Sequence, residues 1–357
     1  MKNLLSIFFI GVLVCFTASS AQALSVGGTA PTTIDPAINL AIQTAFNTAL
    51  ADANIELQKY DDQPDLARGF SNANAYAANA ATLQGYQDYD LFAVMAGIMA
   101  GAQLPSSNKS YYDDLDKKVE EKGDLYIGAS AALALNVGIN AGFIYPGLYL
   151  NVKGGYFSKD DIKDKLSVEN ILLGVGANYS WLQTKSFLAG LFVWRGLSFG
   201  TGFIFNRSEV NLKIDLDPIT ENFAGGGETG TLTLDPSIKL GVKSTTYTIP
   251  FDVTTSVRLL WFLNFNLGAG LDFNFGYTDI IVKSNGNVSA TVTGGYTATG
   301  GNFTVDASTK DKHPSLIRPK IMSGLGLNIS VVKIDVPVII YPTDNAFAVG
   351  LSAGVVW

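Results

Sequence analysis

The chain has one cysteine, Cys15, and one histidine, His313. Zinc sites draw three or four ligands mainly from these two residue types, so composition argues against one. Charge is also scarce. Asp, Glu, Lys and Arg make up 15% of the residues, against roughly 25% in soluble domains. Acidic residues outnumber basic ones by 31 to 24, and nucleic acid as a partner is excluded on that balance, because phosphate binding rests on clustered Lys and Arg. Past the N-terminal stretch no run reaches the roughly 20 apolar residues that a transmembrane helix needs. Yet mean hydropathy is +0.22. With 37 glycines and 11% aromatics, disorder, coiled coil and helical bundle are poor fits. The apolar residues must be spread thinly along the chain.

The N-terminus reads as a secretory signal peptide, residues 1–23. Lys2 gives the positive start, Leu4 to Phe16 the apolar core, and Ala21-Gln22-Ala23 the small-x-small cleavage site, with cleavage expected after Ala23. Cys15 then leaves with the leader, and the exported chain has no thiol and no disulfide. Val12-Leu13-Val14-Cys15 also fits a relaxed lipobox, which would anchor the chain by lipid at Cys15, although Val14 is larger than such sites prefer.

What the sequence does have is alternation. Phe347, Val349, Leu351, Ala353, Val355 and Trp357 alternate with small residues. Leu263, Phe265, Leu267, Ala269, Leu271, Phe273, Phe275 and Tyr277 alternate with Asn264, Asn266, Gly268, Gly270, Asp272, Asn274 and Gly276. A half-buried strand of a soluble sheet would show many charges on its polar side. Here that side is mainly Gly, Asn and Ser, the pattern of an all-β, antiparallel transmembrane β-barrel with apolar residues outward and polar ones inward. Similar runs cover residues 89–104, 124–138, 141–157, 168–180, 196–206, 245–260, 317–331 and 334–341. They predict about ten strands over 89–357, an even number as a single-chain bacterial barrel requires.

Connection lengths orient the barrel, since such barrels pair short periplasmic turns with long extracellular loops. The segments 105–123, 158–167, 207–244, 285–316 and 342–345 become outer connections. Segments 139–140, 181–195, 261–262 and 332–333 become inner ones, with a small interfacial helix expected through Phe187, Leu188, Leu191 and Phe192. On this orientation Trp181, Trp194, Trp261 and Trp357 all fall at the periplasmic side, where an interfacial aromatic belt belongs. Val288, Ala290 and Val292, with Phe303, Val305 and Ala307, suggest hairpins projecting beyond the membrane.

Residues 24–88 form a separate, helical N-terminal segment. Asp35-Pro36 suits a helix start, and Ile38, Ile42, Phe46, Leu50, Ala53 and Leu57 follow at spacings of three and four. The stretch from Leu66 to Gly85 is dominated by Ala and Asn. A plug in the lumen and a periplasmic extension resting on the barrel mouth both satisfy this pattern, because each buries the same stripe.

Chemistry is sparse. His313 with Asp311 sits in a loop where nothing places a nucleophile and an orienting acid, and Gly225-Gly226-Gly227 lacks the Lys-Ser or Lys-Thr of a phosphate cradle. No catalytic residue, cofactor or metal site is expected. Interest falls on the lumen instead. Alternation points Lys153, Asp252, Arg258, Asp272, Arg318 and Lys320 inward, together with Tyr145, Tyr149, Asn151, Asn264, Asn266, Asn274 and Asn328. These either form ion pairs in a closed core, with Asp272 near Arg318 or Lys320, or line a path for small solutes.

The alternation closing on Trp357 resembles the terminal β-signal of diderm outer-membrane β-barrel proteins. That resemblance covers 89–357, and it implies an outer-membrane location, membrane lipid as a partner, and recognition of Phe347 to Trp357 by barrel-assembly machinery. The N-terminal segment and the strand Trp194-Arg195-Gly196-Leu197-Ser198-Phe199-Gly200-Thr201-Gly202-Phe203 resemble spirochaetal barrels grouped with the FadL-like long-chain fatty-acid transporters. The FadL family has more strands than the ten counted here and an Asn-Pro-Ala element at its hatch, where this chain has Asn79-Ala80-Ala81. The resemblance implies passage or uptake of small, hydrophobic molecules. The other function open at this point is a structural or adhesive surface barrel whose outer loops bind a partner.

Overall fold

The computed structural model describes residues 25–32, 36–58, 66–82, 89–104, 128–162, 165–215, 218–225, 228–292 and 296–357. The signal peptide and the outer segment 105–123 lie outside them. Elements follow in the order β1 (Ser25–Thr29), α1 (Pro36–Gln58), α2 (Leu66–Ala77), β2 (Phe92–Gln103), β3 (Gly128–Asn140), β4 (Leu148–Ile162), β5 (Leu166–Leu182) and β6 (Lys185–Phe187). Then come β7 (Phe192–Asp215), β8 (Ile219–Gly225), β9 (Glu228–Leu259), β10 (Leu263–Val292), β11 (Tyr296–Lys312), β12 (Ile317–Ile329), β13 (Val332–Tyr341) and β14 (Ala346–Val356).

Ten of these strands close into a ring in the order β10, β12, β13, β14, β2, β3, β4, β5, β7, β9 and back to β10. The first and last wall strands, β2 and β14, seal it in antiparallel register from Ala93↔Val356 to Gln103↔Ala346. The wall alternates as the sequence predicts. On β10 Phe265, Leu267, Leu271 and Phe275 are exposed, while Asn264, Asn266, Asp272 and Asn274 are buried. An exterior of Leu, Phe, Ile and Val with a polar interior is the transmembrane form of the barrel, since lipid covers the first and the lumen hides the second.

Short connections join the strands at one end of the ring, at 141–147, 260–262 and 330–331, and Phe92 and Trp357 lie there as well. This is the turn end; the opposite is the loop end. Trp181, Trp261 and Trp357 are exposed at the turn end, and Trp194 is half-buried with its indole N–H donated to Thr255 Oγ1 at 2.9 Å.

Three expectations are corrected. Residues 141–147 form a turn, so β4 starts at Leu148, and Tyr145, expected inside, is exposed. Pro146 has no N–H for a ladder, and Gly147 takes a left-handed φ of 84°. In place of the interfacial helix at 181–195 stand the short strand β6, paired with β7, and a 3-10 turn at Leu188–Gly190 in which Ala189 and Gly190 have positive φ. Finally, most of 207–244 and 285–316, expected as connections, is strand, and the hairpin expected from Val288, Ala290 and Val292 with Phe303, Val305 and Ala307 is formed by β10 and β11. The Thr, Val and Ile of these segments suit a pleated surface, and a ladder already running in β9 and β10 continues at little further cost.

These strands therefore outgrow the wall. Apart from Ile281, outward residues on β10 change from apolar to polar after Tyr277, and the remaining residues to Val292 add about 50 Å of ladder at roughly 3.3 Å per residue. There β9 and β10 are joined by β8 on one side and by β11 and then β1 on the other. The result is an open sheet standing off the loop end. α1 packs on one face of it: Ile38, Ile42 and Phe46 cluster with Val282, Val288, Ala290, Val292, Phe303 and Val305. Phe46 lies over β1, where a Cβ on Gly28 would stand 3.0 Å from its ring. The stripe of apolar residues forms the helix as expected, but α1 is neither in the lumen nor at the turn end. The loop-end sheet offers an apolar face of matching length, built largely from the hairpin residues Val288, Ala290, Val292, Phe303 and Val305.

Candidate functional site: the segment inside the barrel

α2 occupies the lumen. From Ser71 to Ala81 every residue is buried. The run is Ser-Asn-Ala-Asn-Ala-Tyr-Ala-Ala-Asn-Ala-Ala, the end of α2 and the turn after it with no exposed side, which suits only small or hydrogen-bonding residues in a space this narrow. The wall is small where the helix comes closest. On β2, a Cβ at Gly101 would lie 2.5 Å from the Ala73 carbonyl oxygen, and one at Gly97 would lie 3.2 Å from Ala81 Cα.

Polar contacts pin the segment at successive heights. Near the loop end Arg68 donates to Ser315 Oγ at 3.1 Å, and the Ser315 backbone N–H donates to Asn72 Oδ1 at 3.0 Å. One layer further in, the Asn74 amide donates to the Asn206 carbonyl at 2.9 Å while the Asn206 amide donates back to the Asn74 carbonyl at 2.8 Å. Asn170 donates to Asn206 Oδ1 at 2.9 Å. The phenol of Tyr76 donates to Gln103 Oε1 at 3.1 Å, and its ring stacks on Tyr341 with centroids 4.0 Å apart. Beyond the helix, Asn79 donates to Tyr341 Oη at 3.2 Å and Asn136 to the Ala81 carbonyl at 2.9 Å.

Five of the six charged residues predicted to face inward gather around this segment. Lys320 lies 2.9 Å from Asp252 and 2.7 Å from Asp272, and Tyr341 donates to Asp272 at 3.2 Å. Arg318 pairs with Asp344 and donates to the Tyr76 oxygen. Lys153 donates to the Ala78 carbonyl at 2.9 Å, placing a cation at the C-terminal end of α2, where the helix dipole is negative. The group thus matches Arg318, Lys320 and Lys153 with Asp252, Asp272 and Asp344. Arg258 is not in it: this half-buried residue stands across from Asn264, close to the turn end. Asn264, Asn266, Asn274 and Asn328 are buried in the wall, as is Tyr149, whose ring meets Tyr89 edge-on at 4.9 Å.

The alternation located the wall's charges but not their partners on the segment. Asn72, Asn74, Tyr76 and Asn79 were missed as anchors, although Asn on an Ala-rich stretch without charge past Arg68 is a legible sign of burial among polar groups. Asp344 sits in a tip that reads as a solvated connection, and nothing in its local sequence links it to Arg318.

Below α2 the lumen keeps a polar space of about 60 Å³ lined by Asn79, Thr82, Asn136, Asn151, Lys153 and Asp252, among others. A larger groove of about 670 Å³ runs on the lipid-facing wall between Tyr179, Phe199, Phe251 and Leu271. His313 is exposed, and its Nδ1 lies 2.6 Å from the Gly276 carbonyl oxygen. Among the described residues no three His, Cys, Asp or Glu side chains converge as metal ligands.

A family model described as Lsa36-like matches residues 20–357. The chain belongs to the Lsa36-like family. No curated protein sequence matches this Lsa36-like barrel. Solved structures that are similar to it include the CymD monoaromatic hydrocarbon channel, 10% identical over 80% of this chain and 94% of that one, with a TM-score of 0.26. The translocator domain of the autotransporter NalP from Neisseria meningitidis is 9% identical over 87% and 98%, with a TM-score of 0.27. Ail, the attachment invasion locus protein of Yersinia pestis, is 7% identical over 74% and 94%, with a TM-score of 0.21. Likenesses at this level say nothing about what an Lsa36-like barrel binds or passes.

Proposed function

We propose that this protein is an occluded outer-membrane barrel that holds a folded β-module at the cell surface, where the module binds an extracellular partner. The observation that carries this is the filled lumen: residues 71–81 are buried within the ring and hydrogen-bonded to its wall through Asn74, Asn79 and the Ala81 carbonyl. An interior so tightly occupied serves anchorage better than flow. By the rule that short turns face the periplasm, the loop end and its projecting sheet face outward. The C-terminal strand Phe347 to Trp357 is the segment that barrel-assembly machinery would read. No side chain is given a catalytic role.

Planar-bilayer recording of the full chain tests the occlusion. Silence is expected, and a steady conductance from the full chain would overturn the reading. Replacing residues 283–308 by a short turn should then abolish binding of the purified protein to host or cell-surface material while its heat-modifiable migration persists.

A second reading, passage of small solutes, is supported by the polar space around Lys153 and Asp252. It requires α2 to shift, and its lining suits polar solutes better than hydrophobic ones. Conductance that opens on deletion of residues 24–88 would show that the wall encloses a usable path once the segment is gone.

A further inference from the structure

The strand order assigns an unusual route to the N-terminal segment. β1 pairs with β11 in the projecting sheet, from Ser25↔Asp306 to Thr29↔Asn302, and α1 covers the same sheet. Both therefore lie beyond the loop end. α2 then lies inside the ring, with Arg68 and Asn72 near the loop end and Ala81 beside Asn136, well down β3. Tyr89 meets Tyr149 at the turn end, and the backbone N–H of Leu91 donates to the carbonyl of Trp357 at 2.9 Å. In chain order the polypeptide enters at one mouth and leaves at the other before it forms its first wall strand.

We propose that the barrel carries its own N-terminal segment across the membrane, so that residues 25–58 face the outside of the cell and complete the surface module. This rests on the outward orientation of the loop end used above. Export delivers the N-terminus to the periplasm first. The ring is sealed by β2 and β14, and α1 with its apolar stripe has no wide lumen through which to pass later. The segment must therefore take its place while the sheet is still open, and closure of β2 on β14 traps it. The outer module then gains β1 as an edge strand and α1 as the cover of its apolar face, so it cannot fold fully until the segment has arrived. The activity assigned here is translocation of one polypeptide segment per barrel, coupled to assembly.

Single cysteines at exposed sites report the sides of the membrane. Thr48→Cys lies on the open face of α1, Asn302→Cys on β11, and Ser330→Cys in the turn between β12 and β13. Each variant is first checked for heat-modifiable migration, then treated in intact cells with a membrane-impermeant maleimide and compared with permeabilised cells. Thr48→Cys and Asn302→Cys are expected to label equally before and after permeabilisation, and Ser330→Cys only after it. Labelling of Thr48→Cys only after permeabilisation, with Asn302→Cys still labelled in intact cells, overturns the translocation and leaves the surface module standing. Labelling of Ser330→Cys in intact cells with Asn302→Cys silent reverses the orientation, and both readings fall together.

Discussion

Lys320 is fully buried and serves two carboxylates, Asp252 and Asp272, from the same ammonium. Lys320→Met removes the cation and leaves two like charges close together in a low-dielectric lumen. Breaking a buried pair in this one-sided way costs about 3 to 5 kcal/mol. The urea midpoint of the folded barrel in lipid vesicles should fall accordingly, and adding Asp272→Asn should return part of the loss. An unchanged midpoint for the single variant would show that the pair adds nothing. Asn206 is a second test. Its side chain donates to the Asn74 carbonyl and accepts from Asn170, so Asn206→Ala takes a partner from each of these buried groups at a cost of about 1 to 3 kcal/mol, read by the same titration. The alternation foretold that Lys320 and Asp272 face inward, because on a wall strand parity alone decides it. It did not foretell Asp344 or Tyr76, whose places depend on which tip and which helix the folded chain brings over the ring.

At the level of elements, α1 and α2 differ in what each demands of its surroundings. α1 has an apolar stripe and needs a single apolar face, so Phe46→Ala should cost about 3 to 5 kcal/mol in local stability. Limited proteolysis should then cut within 36–58 while the wall keeps its heat-modifiable migration. A cleavage pattern like that of the parent chain would mean that the stripe does not hold the helix. α2 needs closeness on all sides. Gly101→Leu places a branched side chain where even a Cβ comes within 2.5 Å of the Ala73 carbonyl oxygen, so the helix must move, and current should appear in planar bilayers where the parent chain is silent. Wall strands were the most legible elements, since a period of two persists whatever the strand meets. The destination of α1 was not, because its stripe matches any apolar face of the right length. Short alternations at 288–292 and 303–307 read as hairpins, but the rest of the outer sheet reads locally as Thr, Gly and Asn connections, and it joins the wall because β9 and β10 extend their pairing beyond the membrane.

Over the whole molecule, the scarcity of charge is explained by the division between wall, lumen and projection. Apolar side chains of the wall face lipid, the few buried charges balance one another inside, and the projecting sheet faces water with Thr, Asn, Ser and Lys. Trimming the projection at 283–308 should therefore leave the ring intact. Unheated samples of the trimmed and parent chains should both run as compact species in detergent gels and shift on boiling; loss of that shift in the trimmed chain would mean that ring and projection fold as one unit.

All 30 residues of β10 have a partner in β9, from Leu263↔Leu259 at the turn end to Val292↔Gly230 at the far tip. A partner that tugs on the tip along the barrel axis therefore loads this ladder in shear, with its hydrogen bonds sharing the force instead of parting one by one. The same tug transmitted through α1 draws on a strand of polypeptide clamped by the closed ring. The molecule is built like a rope made fast through a collar.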